Sequence, residues 1–193
     1  MTAAVSSARL TPEDLLCLEE DGLYELVDGK LVEMKMSYLA NLTAGRVITV
    51  LSNFVAPANL GDVLPEQTFR CFPGDPDRVR RPDVAFILAS RTPRVPAEGH
   101  ISVAPDIAVE VVSSSDRICD LDEKLADYRA AGIRLVWVMN PNSRTIRVHR
   151  PDHTVTELAE SDILRGESVL PDFAVRVWSF CRRRLPARRN ANE

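Results

Sequence analysis

A strand–helix–strand pattern in the second half of the chain is the feature that most constrains the fold. Residues 107–112 form a short apolar run, residues 120–131 carry apolar side chains at helical spacing, and residues 135–139 form a second apolar run. Gly132 follows the helical segment, and a glycine often ends a helix. Two such strands joined through a helix run parallel, with a right-handed crossover. The sequence therefore predicts an α/β fold.

The N-terminal part of the chain predicts a hairpin followed by a long helix. Tyr24–Val27 and Lys30–Glu33 flank Asp28 and Gly29, a pair that suits a two-residue hairpin turn because both positions need positive φ. Apolar residues recur at helical spacing over residues 39–55. We therefore expect a long packing helix directly after an N-terminal β-hairpin.

The remaining elements follow from the same patterns. We expect a helix over residues 11–20 and strands over residues 63–72, 82–88, 144–150 and 155–158. Residues 174–180 fit either a strand or a helix. The length of 193 residues suits one domain, which we place at residues 1–180, followed by a basic tail over residues 181–193.

Composition excludes several classes of protein. The net charge of −4 argues against a uniformly basic coat for nucleic acid. Neither a basic, apolar leader nor a run of membrane-spanning length is evident, so a cytoplasmic location is expected. The four cysteines are widely separated, which predicts reduced, buried thiols rather than a zinc site or disulfides: Cys17, Cys71, Cys119 and Cys181.

Glu110 is an isolated acid within an apolar strand, so it needs solvent, a cation or a proton. Asp106 shares its face of the strand but lies roughly 13 Å away, too far to share a metal ion. Asp83 can share one if its strand is adjacent, because neighbouring strands are about 5 Å apart. Two carboxylates suit a hard cation such as Mg²⁺, with the carbonyl of Val111 as a further ligand. The alternative for Asp83 is a solvated acid at the start of a strand.

Lys124 is the third candidate, because the helix after the Glu110 strand can fold back over the end of that strand. Leu121, Leu125 and Tyr128 have the spacing of a packed stripe, and Lys124 borders it. The alternative is an exposed lysine in ordinary helical ion pairs, with Asp120 four residues before it and Asp127 three after it.

Four stretches in order carry a family resemblance: residues 24–29 (YELVDG), 81–86 (RPDVAF), 110–117 (EVVSSSDR) and 120–137, which includes Glu123, Lys124 and Tyr128. Together they resemble the Uma-type putative restriction endonuclease family, within the PD-(D/E)XK nuclease superfamily. The resemblance implies a restriction-endonuclease-like core, with a mixed central sheet flanked by helices, and a metal-dependent phosphodiesterase.

The resemblance also implies residue roles. The superfamily aspartate falls on Asp83 and its glutamate on Glu110, whereas Val112 stands where many members have lysine. The role of that lysine falls on Lys124, as in other members of this family. A histidine common early in the long helix is absent from residues 43–46, and the usual Ser-Pro-Ser after the glutamate reads Ser113-Ser114-Ser115.

The functional hypothesis is hydrolysis of DNA phosphodiester bonds with Mg²⁺ or Mn²⁺ as cofactor. Asp83 and Glu110 hold the metal, and Lys124 orients water or stabilises developing charge. A homodimer would suit double-strand cleavage by analogy. The rival is a catalytically silent nucleic-acid-binding or regulatory protein on the same fold. Glu25 and Glu33 remain open as further carboxylates, with surface hairpin acids preferred.

For the other charged and aromatic residues, the sequence gives less support for a functional role. Arg78, Arg80 and Arg81 precede the Asp83 strand and could position a DNA backbone. The tail arginines are better explained as solvated charge: Arg182, Arg183, Arg184, Arg188 and Arg189. No chemistry is assigned to His100, His149 or His153. Trp137 and Trp178 are expected in the core or an interface.

Overall fold

The computed structural model describes residues 9–18, 22–113 and 116–181. In these ranges the helices are α1 (Pro12–Leu16), α2 (Tyr38–Val55) and α3 (Ile118–Ala130). The strands are β1 (Tyr24–Val27), β2 (Lys30–Glu33), β3 (Gly61–Pro65), β4 (Val84–Leu88), β5 (Ile107–Val111), β6 (Leu135–Asn140), β7 (Thr145–His149), β8 (Val155–Leu158), β9 (Ile163–Gly166) and β10 (Leu170–Arg176). Short 3-10 turns lie at Ala56–Ala58, Thr92–Arg94 and Val177–Phe180.

A six-stranded mixed sheet forms the centre, in the order β3-β4-β5-β6-β7-β8. β5 and β6 are parallel and are joined through α3, as predicted, while the other neighbours in this sheet are antiparallel. β1–β2 and β9–β10 form separate hairpins. Asp28 and Gly29 both have positive φ, 51° and 74°, as the predicted turn requires. The α/β fold with a mixed sheet and an N-terminal hairpin is confirmed.

The two faces of the sheet bury different elements. Val109 belongs to the core cluster that also contains residues of α2, β9 and β10, whereas Ala108 belongs to the cluster that contains Leu125 and Tyr128 of α3. Successive side chains of a strand point to opposite faces. Glu110 therefore lies on the same face as Ala108, and this face is covered by α3.

The structure corrects or completes the sequence predictions at four places. α1 ends at Leu16 rather than near Glu20, and residues 19 and 20 lie outside the described ranges. The predicted strand at residues 63–72 is divided, because Glu66 takes a left-handed φ of 46° directly after β3. Beyond it, Phe69 makes isolated bridges to Arg80 and Ile101. Residues 174–180 are a strand followed by a 3-10 turn, and β9 was not predicted.

The cysteines are free thiols, as expected, but burial was predicted correctly only in part. Cys181 is buried and Cys71 is partly buried, and burial raises the pKa of the Cys71 thiol to about 12. Cys17 and Cys119 are exposed, so the expectation of buried thiols is wrong for these two. Both lie at the ends of helices, where one side of the chain faces solvent.

The segment Tyr38–Ala58 has the length and apolar composition of a membrane span, with a mean hydropathy of 1.3. The expectation that no run reaches this length is therefore wrong. Ala40, Val47 and Leu51 of this segment are buried in the core cluster that contains strands of the central sheet. Its apolar content thus has an explanation within the fold, as a packed core helix.

Candidate active site

Asp83 and Glu110 lie at the end of the pairing between β4 and β5, where these two strands separate. β4 and β5 pair over three residues, from Phe86 opposite Ile107 to Val84 opposite Val109. Continuing this register by one residue places Asp83 opposite Glu110, while β5 stays paired with β6 as far as Val111. The predicted adjacency of the two acidic strands is confirmed.

Beyond the last backbone pair of β4 and β5, the Asp83 side chain accepts the next hydrogen bond from β5. The backbone N–H of Val111 donates a hydrogen bond of 2.6 Å to Oδ2 of Asp83. Both acids are buried, Asp83 with 4% and Glu110 with 6% of its surface exposed. Asp83 is therefore not the solvated strand-start acid of the alternative interpretation.

α3 supplies the donors to Glu110. Tyr128 Oη donates to Oε1 of Glu110 at 2.5 Å, and Nζ of Lys124 donates to Oε2 at 3.2 Å. Lys124 and Tyr128 are four residues apart, so they lie on one side of the helix. Leu125 and Tyr128 are buried and Leu121 packs beside them, as the stripe predicted. Lys124 faces inward, which excludes the alternative of an exposed lysine paired along its own helix.

Glu25 is a site residue whose burial was not predicted. It is fully buried, with 0% of its surface exposed, and Nζ of Lys124 lies 3.0 Å from its Oε1. Arg80 Nη1 donates to its Oε2 at 3.1 Å, and the backbone N–H of Arg81 donates to Oε1 at 2.9 Å. The preference for a surface acid is wrong here, because Leu26 bridges to Val79 and brings this strand against the body of the protein. Glu33 is exposed.

Burial controls the protonation of this cluster. It raises the pKa of Asp83 from its ordinary 3.8 to about 8, and the Glu110 carboxylate adds to the rise. Burial also raises the pKa of Glu110, against the opposing charge of Lys124. Burial lowers the pKa of Lys124, but the carboxylates of Glu110 and Glu25 outweigh it, so this pKa is raised. Lys124 is thus a permanent cation at neutral pH.

These groups line a cleft of about 210 Å³. The segment from Val32 to Met36 forms part of the lining, together with residues from the start of α3. The residues lining the cleft that carry formal charge are Glu25, Glu33, Lys35, Asp83, Glu110, Asp116, Arg117, Asp120 and Lys124. Acids outnumber bases among them, so the cleft favours a cation beside the two facing carboxylates.

The donor set fits a divalent metal with few protein ligands. In the described ranges, no group of three or more His, Cys, Asp and Glu side chains is placed to hold a metal ion. Mg²⁺ needs only one or two carboxylates and keeps several waters. The N–H and C=O of a strand residue point to the same neighbouring strand. Since the Val111 N–H points to Asp83, its carbonyl is directed to the same side, as a third ligand requires.

The arginines proposed for DNA contact are engaged within the chain. Arg80 is 3% exposed and pairs with Asp127 at 2.6 Å and with Glu25. Arg78 pairs with Asp28 at 2.7 Å and with Asp127 at 2.9 Å. A guanidinium already neutralised by acids of its own chain is poorly suited to bind phosphate. Arg81 is partly buried, and its side chain donates to the carbonyls of Tyr24 and Glu66. The tail arginines lie outside the described ranges.

Several other residues considered from the sequence make contacts within the fold. Asp106 is buried and pairs with Arg134 at 2.7 Å and with Arg91 at 2.9 Å. Thr43, in the stretch that lacks the family histidine, contacts the carbonyl of Phe180 at 3.4 Å. Trp137 is fully buried, as expected for a core residue.

Trp178 is exposed, so it is not a core residue. His100 lies within hydrogen-bond distance of Thr68 and of the Pro12 carbonyl, which holds the ring in a loop contact. Ser114 and Ser115, in the stretch that differs from the family's usual Ser-Pro-Ser, lie outside the described ranges.

Comparisons with known proteins bear on the family and on the fold. The sequence pattern of the family described as "Uma2: Putative restriction endonuclease" matches residues 12–178. The chain is similar in structure to a putative nuclease belonging to DUF820 from Anabaena variabilis, with a TM-score of 0.75 and 21% identity, covering 89% of this chain and 97% of that chain. This likeness shows a common fold. A search of curated proteins finds no match.

Proposed function

Because the chain belongs to the Uma2 family of putative restriction endonucleases, we propose that it is a metal-dependent nuclease that hydrolyses phosphodiester bonds in DNA. The observation that carries this proposal is the facing pair of buried carboxylates, Asp83 and Glu110, with Lys124 bound to one of them in an open cleft. Perturbed acids beside a cation in a cleft are typical of catalytic sites.

Asp83, Glu110 and the Val111 carbonyl would hold Mg²⁺ or Mn²⁺. Such an ion, when bound, polarises the scissile phosphate and makes a bound water acidic. The chain itself brings two acids together at a cost, since burial raises the pKa of both and the Glu110 carboxylate adds to the rise at Asp83. That cost is offset when a divalent cation is present, which gives the pair a physical reason to select one.

Lys124 contributes a fixed positive charge. Its raised pKa keeps it protonated at neutral pH, so it acts as a hydrogen-bond donor and not as a general base. The ammonium has three N–H donors, and its contacts to Glu25 and Glu110 engage two of them. The third is available to water or to a phosphate oxygen as negative charge develops.

Cleavage of plasmid and linear DNA with Mg²⁺ or Mn²⁺ tests the proposal. Glu110→Gln and Asp83→Asn keep the side-chain volume and should lose at least about 100-fold in rate, since each removes a charge that acts on the reacting groups. Asp62→Asn is the matched control, because Asp62 is an exposed carboxylate on β3. Its rate should equal that of the parent.

A folded parent that cleaves no DNA with either metal would refute the nuclease proposal. Retention of DNA binding in that case would favour the silent binding or regulatory protein instead. The two outcomes are separated by measuring DNA binding in Ca²⁺ alongside cleavage in Mg²⁺ and Mn²⁺.

A further inference from the structure

We propose that Glu25 is a positioning residue for Lys124: it fixes the ammonium between the hairpin and Glu110, so that the remaining donor is directed into the cleft. This inference rests on the proposed nuclease function for its catalytic consequence. It extends the site from the central sheet to the separate β1–β2 hairpin.

Glu25 uses both carboxylate oxygens as an anchored bridge. Oε1 accepts from the backbone N–H of Arg81 at 2.9 Å and contacts Lys124 Nζ at 3.0 Å. Oε2 accepts from Arg80 Nη1 at 3.1 Å. The carboxylate is thereby held by one backbone and one side-chain donor on a neighbouring segment, and it presents its charge to Lys124.

The charge balance explains why Glu25 is more than a partner for Arg80. Arg80 already has Asp127 as a counter-ion, with Nε donating to Oδ2 at 2.7 Å and Nη2 lying 2.6 Å from the same oxygen. Arg80 thus has a counter-ion besides Glu25, one that it shares with Arg78. Glu25 also pairs with Lys124, which comes from a different element and contacts no oxygen of Asp127 within ion-pair distance.

A lysine side chain needs such a bridge because its four-carbon stem is flexible. Two carboxylates, one on β1 and one on β5, hold Nζ of Lys124 from different directions at 3.0 Å and 3.2 Å. With Glu110 alone, the ammonium would retain a single anchoring acid and would gain freedom to turn. Positioning to within a fraction of an ångström is what charge stabilisation in a site demands.

Glu25 is not assigned as a metal ligand. Both of its oxygens already accept hydrogen bonds or contact a cation. Within the portion of the chain that the structure describes, it does not belong to a group of three or more acidic, His or Cys side chains arranged around a metal position. Its effect on the reaction is therefore transmitted through Lys124.

The first test is independent of activity and uses the metal-free protein without DNA. The sequence contains three lysines, Lys30, Lys35 and Lys124, and the first two are exposed. Acetylation by acetic anhydride, mapped by mass spectrometry, should modify Lys124 slowly relative to Lys30 in the parent. Glu25→Gln should raise that ratio several-fold, since the neutral amide no longer holds the ammonium. Glu157→Gln, an exposed acid on β8, should leave it unchanged.

The second test is kinetic. Glu25→Gln should lower kcat by about 10- to 100-fold, as loss of a supporting partner commonly does. KM for DNA should stay within about twofold of the parent value, because uniform substrate binding is not affected. A purely structural role would instead lower the amount of folded enzyme without changing the Lys124 acetylation ratio of the folded fraction.

The outcomes separate this inference from the proposed function. If the parent cleaves no DNA, the nuclease proposal fails, while the acetylation ratio still decides whether Glu25 holds Lys124. Parent-like acetylation and kcat in Glu25→Gln would overturn the inference. If Glu25→Gln does not fold, Glu25→Asp replaces it. This side chain is one methylene shorter, so Glu25→Asp should also raise the acetylation ratio and lower kcat. Parent-like values of both would again overturn the inference.

Discussion

Asp83→Asn should stabilise the metal-free protein at neutral and alkaline pH. Asp83 is buried and lies opposite Glu110. Burial, together with the charge of Glu110, raises the pKa of Asp83 from 3.8 to about 8. Asn keeps an oxygen that can accept the Val111 N–H but cannot ionise. The substitution therefore removes the cost of a buried charge and keeps the hydrogen bond at the end of β5.

The sign and size of the effect follow from proton binding. Asp83 has its pKa raised by folding, so its contribution to stability is complete below about pH 4 and is lost as pH rises towards about pH 8. Within that window the folded protein holds one proton that the unfolded chain has released. Each pH unit then lowers the free energy of unfolding by about 1.4 kcal/mol. From about pH 6 to about pH 7.5 the loss is about 2 kcal/mol, and Asp83→Asn should not show it.

Urea unfolding in EDTA at these two pH values measures the difference, with the fluorescence of the buried Trp137 as reporter. The advantage of Asp83→Asn over the parent should grow by about 2 kcal/mol between the lower and the higher pH. Asp62→Asn, on an exposed site of β3, should run parallel to the parent. Added Mg²⁺ should recover stability for the parent at the higher pH and much less for the variant. Equal pH slopes for parent and Asp83→Asn would refute the reasoning.

Two further substitutions test the contacts on either side of Glu110. Tyr128→Phe keeps the packed ring but removes the hydrogen-bond donor to Glu110. The free energy of unfolding, measured by urea denaturation, should therefore fall by about 1–3 kcal/mol. An unchanged free energy of unfolding would contradict a buried hydrogen bond between Tyr128 and Glu110. Asp106→Asn weakens its pairing with Arg134 and Arg91, which are partly exposed and can rehydrate, so a loss of about 1–3 kcal/mol with parent-like cleavage is expected. A loss of cleavage by folded Asp106→Asn would show that this acid does act on the site.

The acidic pair was predictable in part from strand geometry. The period of two places Asp106 and Glu110 on one face yet too far apart, and the spacing between neighbouring strands allows Asp83 as the partner only if the two strands are adjacent. The adjacency itself was not fixed by the local pattern, and the family resemblance supplied the assignment of Asp83. In the structure Asp106 forms an ion pair with Arg134, and Asp83 lies opposite Glu110. The stripe of its helix left two positions open for Lys124, inward or exposed, and the contacts to Glu25 and Glu110 decide for the inward one.

Glu25 and the arginines could not be assigned in the same way. Their environment depends on how the β1–β2 hairpin docks, which is set by the bridge between Leu26 and Val79. Arg80 pairs with Asp127, a residue 47 positions later, and no local pattern identifies that partner. The one available signal was the apolar flank of Glu25, since Leu26 and Val27 follow it in a strand whose residues 25–27 are all buried.

Asp83 also ends the backbone pairing between β4 and β5, because its carboxylate accepts from Val111 where the next strand carbonyl would otherwise be. In this chain the Val111 N–H needs an oxygen acceptor at position 83, and asparagine supplies one as well as aspartate does. An amide there would keep this hydrogen bond while removing the charge on which the proposed chemistry depends. An alanine would instead leave the buried Val111 N–H without an acceptor. Loss of activity in Asp83→Ala could therefore reflect lost stability as well as lost catalysis. Asparagine is the more informative replacement.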